Sequence, residues 1–326
     1  MKNLPFVILV MFIVSCTNKA PVEKSVKDVQ KTQAYIGLKE GGEWIWVTKS
    51  NGNEQWEYQG GEFKPVTNLV VDEKHTDHSF DIQFEGPGWE SDKIGYRIYL
   101  DWRNAIDIFG KKVDTMVLHT VGLDGFDSYH EEADWGVDVL KVGSSLGMGS
   151  VAFWDGEKAI RVEKTESLSA KVEDGESSSK VEILYENWEI NNIKTTLKST
   201  FEIEEGSFLT KNNHELSQNL PNLATGIVKH DSTEIQVFDD IIDGWSCMAT
   251  FGVQTLQNDK LGMCIFFNND ELIEITEDKY SHIVVLKPVN NKLTYYFGAA
   301  WQQDASGVKS MKEFKTLLKE QAKFIL

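Results

Sequence analysis

Much of the chain alternates apolar and polar side chains with a period of two, the pattern of strands with one buried face. It predicts strands over Glu43–Val47 (EWIWV), Ser79–Phe84 (SFDIQF), Lys180–Trp188 (KVEILYENW), Lys194–Glu204 (KTTLKSTFEIE), Ser281–Lys287 and Leu293–Trp301 (LTYYFGAAW). Turn residues punctuate them: Gly41-Gly42, Asn51-Gly52-Asn53, Gly60-Gly61, Asp155-Gly156, Asp174-Gly175 and Asn290-Asn291. The clear helical period lies at the C-terminus, SMKEFKTLLKEQAKFIL. There Ser310 and Glu313 form a capping box, and Met311, Phe314, Leu317 and Leu318 form one apolar stripe. Many short strands with turn signals predict an all-β fold, a large antiparallel β-sandwich with a C-terminal helix on its outside. No internal repeat or low-complexity boundary interrupts residues 34–326, which are expected to form a single domain.

The first residues break this pattern. Lys2 precedes an apolar run, Leu4 to Val14, about half the ~20 residues of a spanning helix, and residues 1–15 read as a signal peptide. The ending Ile13-Val14-Ser15-Cys16 looks like a lipobox, with Cys16 as the lipidated residue that anchors the chain to a membrane. Residues 16–33 are polar and aperiodic, and are expected to be a flexible tether. Thr17, with no acidic cluster behind it, favours an outer-membrane lipoprotein facing the periplasm.

Composition narrows the partners. The 326 residues carry 33 basic and 51 acidic side chains, a formal charge of −18, with 41% hydrophobic and 11% aromatic content. A packed core is expected and global disorder excluded. So acidic a chain repels nucleic acid and anionic lipid, and on average also an acidic polysaccharide, unless its few strong cations cluster. Only three residues are arginine: Arg97, Arg103 and Arg161. Cys247 and Cys264 have no metal or redox spacing, and both a bridge and two buried thiols remain open. No metal and no cofactor is assigned.

Two of the arginines lie in the most distinctive segment. As a strand, 96–103 puts Tyr96, Ile98, Leu100 and Trp102 on a core face and Arg97, Tyr99, Asp101 and Arg103 on the other. Solvated faces elsewhere in this chain use Lys, Glu, Ser and Thr. Arg and Tyr instead suit bidentate carboxylate binding and sugar stacking. A second segment, 127–149, combines Tyr129-His130, Asp134-Trp135, Asp138 and Lys141 with Gly143, Gly147 and Gly149. The glycines lack a phosphate-loop pattern and read as tight β-turns. His130 is an acid/base candidate. His75 and His78 are a weak metal pair without a third ligand. His230-Asp231 offers an oriented imidazole, and His214 and His282 sit in ordinary strands. Asp239-Asp240, Asp243 and Trp245 read as a sugar-contacting loop or a solvated turn.

The runs Trp89-Glu90-Ser91-Asp92, Tyr96-Arg97-Ile98-Tyr99-Leu100-Asp101 and Asp107-Ile108-Phe109-Gly110-Lys111, with Tyr129-His130, Asp134 to Gly143 and Ser145-Leu146-Gly147, resemble a family of Bacteroidota-type secreted proteins known by a domain of unknown function. Its members occur among polysaccharide-utilisation genes, and one relative acts as an oligosaccharide dehydratase on ulvan fragments. The resemblance implies a β-supersandwich of the galactose-mutarotase kind. It also implies elimination of water from a non-reducing-end uronic acid of an acidic oligosaccharide, giving a 4,5-unsaturated uronate.

That chemistry neutralises a carboxylate, removes the C5 proton and protonates the departing C4 hydroxyl. Arg97 and Arg103 suit the carboxylate. His130 suits the base and Tyr99 or Tyr129 the acid, or the reverse. Asp101 or Asp134 suits orientation, and Trp135 and Lys141 are placed with the substrate. A polysaccharide lyase would need the same set. A glycoside hydrolase would draw a carboxylate pair from Glu90, Asp101, Asp134 and Asp138, and an epimerase is a further alternative. A non-catalytic glycan-binding lipoprotein is favoured if Tyr99 and His130 lie far apart.

Overall fold

The computed structural model describes residues 30–125 and 128–325. The signal peptide 1–15, Cys16 and most of the tether lie outside the described residues. The tether ends earlier than composition suggests. Thr32–Tyr35 is a strand paired antiparallel with Gly88–Ser91, and Thr32 is buried, its Oγ1 accepting from Ser179 Oγ at 2.9 Å.

One layer is a nine-stranded antiparallel sheet. Its order is Gln236–Ile242, Trp245–Val253, Lys260–Asn268, Lys292–Trp301, Leu209–Leu216, Ile193–Glu204, Ser178–Ile190, Ser167–Asp174 and Asn68–Val70. In Ile193–Glu204 the buried positions Thr195, Leu197, Ser199, Phe201 and Ile203 alternate with more open ones, as the period of two requires. The facing layer holds two five-stranded sheets. One runs Thr32–Tyr35, Gly88–Ser91, Ile94–Ile98, Ile106–Lys111, Gly136–Asp138. The other runs Ala159–Arg161, Met148–Trp154, Leu223–Val228, Ser281–Leu286, Leu272–Glu277. They meet where Ile106 bridges Gly147 and its N–H donates to Ser150 Oγ at 2.6 Å. A β-carbon on Gly147 would lie 2.0 Å from the Ile106 carbonyl oxygen, and its φ of +61° is left-handed, so only glycine closes this seam.

The layers are joined by aromatic side chains whose polar ends are satisfied. Trp89 stacks on Phe201 with centroids 4.9 Å apart and donates from Nε1 to Thr210 Oγ1 at 2.8 Å. Tyr96 Oη donates to the Phe208 carbonyl at 2.7 Å, and Tyr295 Oη to that of Gly149 at 2.8 Å. The fold is therefore the expected all-β sandwich. The C-terminal helix, Met311–Gln321, is also as expected. Ser310 Oγ accepts from the Glu313 N–H, and Phe314 packs over Gly262, where a β-carbon would come within 2.8 Å of its ring. A long hairpin, Gly37–Thr48 with Glu54–Pro65, forms a separate two-stranded sheet.

Two expectations need correction, and one open alternative is decided. Ser79–Phe84 is not a strand but a bend leading into a short 3-10 turn, Gln83–Glu85. His78, Phe80, Phe84 and Glu85 all take positive φ (61°, 61°, 40° and 67°), which alternation cannot signal. The strand predicted over 96–103 stops at Ile98, and the chain turns back so that the Tyr99 N–H donates to the Ala105 carbonyl at 3.0 Å. Trp102, assigned to the core, is consequently 45% exposed. The strand Ile94–Ile98 is buried on both faces, because a second apolar cluster of Tyr35, Phe84, Phe109, Leu118 and Tyr129 covers its outer side. Finally, Cys247 and Cys264 are buried free thiols on neighbouring strands, where Cys264 lies opposite Ala249.

Candidate functional site

The outer face of the first five-stranded sheet places Arg97 and Asp107 opposite each other on paired strands, with Asp138 on the short strand beyond. Arg97 is 1% exposed and spends every N–H internally. Nε donates to Asp107 Oδ2 at 3.2 Å, and Nη1 to the Phe84 carbonyl at 3.3 Å and Tyr129 Oη at 3.1 Å. Nη2 donates to Tyr99 Oη at 2.7 Å, Asp107 Oδ2 at 2.7 Å and Asp138 Oδ2 at 2.8 Å. Sequence reasoning gave Arg97 to the substrate carboxylate. Its geometry instead makes it the centre of a buried network with no donor left to offer.

One guanidinium between two buried carboxylates compensates only one of them. Burial, and then the charge of Asp107, push the Asp138 carboxyl well above the usual carboxylate range. Tyr99 Oη donates to Asp107 Oδ2 at 2.6 Å, and burial lifts its phenol well above the ordinary value, so it is a neutral proton donor. Tyr129 is raised for the same reason, burial.

A cavity of about 370 Å³ opens over this network. Tyr99, His130, Asp138, Arg103, Lys141 and Trp102 are among its lining residues. His130 ends the 3-10 turn Ser128–His130, stacks beside Tyr129 with centroids 4.5 Å apart, and holds Nε2 3.5 Å from Asp138 Oδ2. Tyr99 and His130 therefore share one cavity, as proton-transfer partners must. Tyr129 lines the neighbouring cavity instead, between the 80–85 bend and Gly122–Gly125.

Arg103 reaches the cavity from the turn rather than from a strand. Its guanidinium stacks 3.7 Å from the Tyr99 ring centroid. Asp101 accepts from its Nε at 2.9 Å and from Nη2, while Nη2 also meets Glu85 Oε1 at 2.9 Å and Asp77 Oδ1 at 3.1 Å. Its Nη1 has no hydrogen bond among the described residues, and Arg103 is thus the arginine able to meet a substrate anion. Asp101 positions Arg103 rather than touching ligand. Lys141 is exposed on the rim. Asp134 and Trp135 leave the assigned set: Asp134 is exposed outside the cavity, and Trp135 packs on Phe109, centroids 6.1 Å apart. Cys16 lies outside the described residues.

Sequence reasoning missed the role of Asp107, Asp77 and Glu85. The strained 78–85 bend that brings Asp77 and Glu85 to Arg103 left no signal in the sequence, because its positive φ residues are not glycines. Asp77, His78 and Glu85 bring ligand atoms within 4.8 Å of one another, a possible metal set. The Arg103 guanidinium already contacts both carboxylates and supplies the positive charge there. His75 is not part of it, since its Nδ1 pairs with Asp81 Oδ1 at 2.8 Å. Hydrogen bonding to Asp77, 2.5 Å away, raises the His78 imidazole above its ordinary value. Of the carboxylates considered for hydrolysis, Glu90 is consumed by a fully buried pair with Lys111 at 2.5 Å.

No curated protein matches the chain. Among solved structures, a TPR-domain containing protein from Parabacteroides distasonis is similar with a TM-score of 0.36 and 8% identity, over 83% of this chain and 55% of that one. A 4-alpha-glucanotransferase from Thermococcus litoralis gives a TM-score of 0.32 and 10% identity, over 72% of this chain and 39% of that one. The chain thus spans little more than half of the first protein's length and less of the second's. The family model "Domain of unknown function (DUF4861)" matches residues 12–325, nearly the whole sequence including every residue of the cavity, and the chain belongs to that family.

Proposed function

We propose that the cavity binds the non-reducing-end uronic acid of an acidic oligosaccharide and eliminates water across C4 and C5. The observation that carries this reading is the convergence of Tyr99 and His130 on one cavity that is also lined by Lys141 and by Arg103, whose Nη1 has no hydrogen bond among the described residues. Arg103 Nη1 and Lys141 take the carboxylate, which makes the C5–H more acidic and holds the developing enolate. His130 takes the C5 proton, with its imidazole oriented by Asp138. Tyr99 gives its proton to the departing C4 oxygen. Arg97 Nη2, 2.7 Å away, stabilises the phenolate left behind. Return of the proton from His130 to Tyr99 restores the site, and the products are the unsaturated uronate and water. Trp102 offers an indole face at the rim for the sugar ring. The extracytoplasmic, lipid-anchored setting belongs to the same proposal.

A panel of saturated uronate oligosaccharides, followed by the ultraviolet absorbance of the conjugated product, tests the reading. Wild-type protein should generate the chromophore on at least one. Tyr99→Phe and His130→Ala should each lower kcat by about 10²–10⁴; His130→Ala should melt like wild type, and Tyr99→Phe lower, by about 1–3 kcal/mol for its lost hydrogen bonds to Asp107 and Arg97. Product release without the chromophore would mark a hydrolase. Binding without turnover would mark a glycan-binding protein.

A further inference from the structure

The hairpin Gly37–Thr48 with Glu54–Pro65 stands apart from the three larger sheets, and its outward contacts converge on residues 74–82. The Tyr58 N–H donates to the Ser79 carbonyl at 2.7 Å, and the Lys39 N–H to that of Asp81 at 2.8 Å. Lys74 Nζ sits 4.9 Å from the Trp56 ring centroid, and Lys49 Nζ 5.3 Å from that of Phe80. The stretch gripped in this way carries Asp77 and opens the strained bend that ends at Glu85, the two acids set against Arg103.

Gln55 reaches the part of the stretch that borders the cavity. Its Nε2 donates to the Asp77 carbonyl at 3.0 Å and to the His78 carbonyl at 3.2 Å. A side-chain amide nitrogen has two N–H bonds to give, and left-handed His78 (φ 61°) leaves both carbonyls within its reach. The peptide between Asp77 and His78 is thereby pinned at both ends. Gln55 holds its C=O, and Glu85 Oε1 accepts from its N–H at 2.8 Å. Because the peptide is planar, fixing both groups fixes the direction in which the Asp77 side chain leaves the backbone. That direction puts Asp77 Oδ1 3.1 Å from Arg103 Nη2, beside Glu85 Oε1 at 2.9 Å from the same nitrogen. The guanidinium is planar, so anchoring Nη2 and Nε also sets where Nη1 lies. Gln55 itself is not among the residues that line the cavity.

We infer that Gln55 is a positioning residue for Arg103, acting from the hairpin through the Asp77–His78 peptide. The inference rests on the proposed function for Arg103's part in holding a uronate carboxylate. Without the amide, two carbonyls lose their donor and the peptide is pinned at one end only. Asp77 then turns from Arg103, whose plane loses an anchor, and the carboxylate is held more weakly. Tyr99 and His130 stay in place, because neither hangs from the bend. The hairpin thus serves as a clamp on the anion site.

The test reads KM and kcat separately, with calorimetric binding of glucuronate as a measure that needs no turnover. Gln55→Ala should raise KM and the glucuronate Kd by about tenfold, the worth of one hydrogen bond to a charged group, and leave kcat unchanged. Gln55→Lys keeps a donor and should restore both constants. Gln55→Glu, of the same shape, turns acceptors on the two carbonyls and should do no better than Gln55→Ala. Equal losses in Gln55→Lys and Gln55→Ala, or a kcat that falls with the melting midpoint across the three variants, would overturn the positioning role. If no substrate yields the chromophore but the glucuronate Kd still follows the presence of a donor, the elimination fails and the positioning stands. If the chromophore forms and neither KM nor Kd responds to Gln55→Ala, the positioning fails alone. Wild-type protein that binds no glucuronate would remove the role of Arg103 and that of Gln55 together.

Discussion

Arg97 shows how a residue chosen for one role is taken by another. Its guanidinium has two carboxylates, two phenols and a carbonyl as acceptors, all within 3.3 Å. Removing it leaves Asp107 and Asp138 buried together without compensation. Arg97→Ala should therefore cost about 3–5 kcal/mol of stability, the range for breaking a buried pair, read as a lower denaturation midpoint. A loss of activity in that variant would report on folding. Tyr99→Phe and His130→Ala report on chemistry, since they remove proton-transfer groups without orphaning a buried charge. Asp138 carries a sign of its own. Its carboxyl is raised in the native state, so the proton it holds stabilises the fold at low pH, and that contribution falls as pH climbs from the ordinary carboxylate value. Asp138→Asn, which cannot ionise, should be less destabilising at pH 8 than at pH 4, measured by denaturant titration at each pH.

At the scale of elements, the strands obey alternation wherever one face meets the core, and fail it where both faces are covered or the chain must bend. Lys180 to Trp188 and Lys194 to Glu204 were legible because solvent lies on one side of the nine-stranded sheet. Ser79–Phe84 alternates equally well and is no strand. The four positive φ residues of the bend 78–85 cost about 1 kcal/mol or more each, and the bend sets Asp77 and Glu85 against Arg103. The C-terminal helix is the opposite case, with every local signal agreeing. Ser310→Ala should cost about 1 kcal/mol by loss of the cap. Gly110 is a tight contact between the two layers, where a β-carbon would meet the Trp301 ring at 2.6 Å. Gly110→Ala should destabilise by more than the cap variant, by about 1–3 kcal/mol for overpacking, with both read as denaturation midpoints.

Across the whole molecule, charge and burial set the response to solvent. The long-range field is negative, yet at the cavity mouth Arg103 Nη1 and Lys141 stand above the acids Asp77, Asp107 and Asp138 that share its lining. Local attraction at contact distance outweighs distant repulsion screened over about 8–10 Å. Added salt should therefore raise KM for an acidic oligosaccharide. A KM that falls with salt would mean that the net charge dominates. Acid should unfold the protein partly through His214, buried between Ser199 Oγ at 2.9 Å and Tyr295 Oη at 3.1 Å. Burial pulls its imidazole down to about 3. It is neutral in the fold and takes a proton when unfolded, so its contribution is complete above pH ~6.5 and is lost progressively towards pH 3. His214→Gln should flatten the fall of stability between pH 6.5 and 4, measured by chemical denaturation.

By itself the sequence determined the fold class, the helix and the neighbourhood of the site, because strand alternation, helix caps and unusual residue clusters are local properties. It pointed to Tyr99, His130 and Arg103 through composition, and these do converge on one cavity. It could not tell that Arg97 is buried, since that follows from the apolar cluster laid over its strand by residues 35, 84, 118 and 129. Nor could it distinguish Asp107 from the other acids of so acidic a chain, or place Asp134 and Trp135 outside the cavity. Only tertiary structure decided which carboxylates share a guanidinium, and which of the three arginines keeps a donor for a ligand. Those choices depend on contacts between residues up to tens of positions apart, where desolvation and shared hydrogen bonds assign each charged group its role.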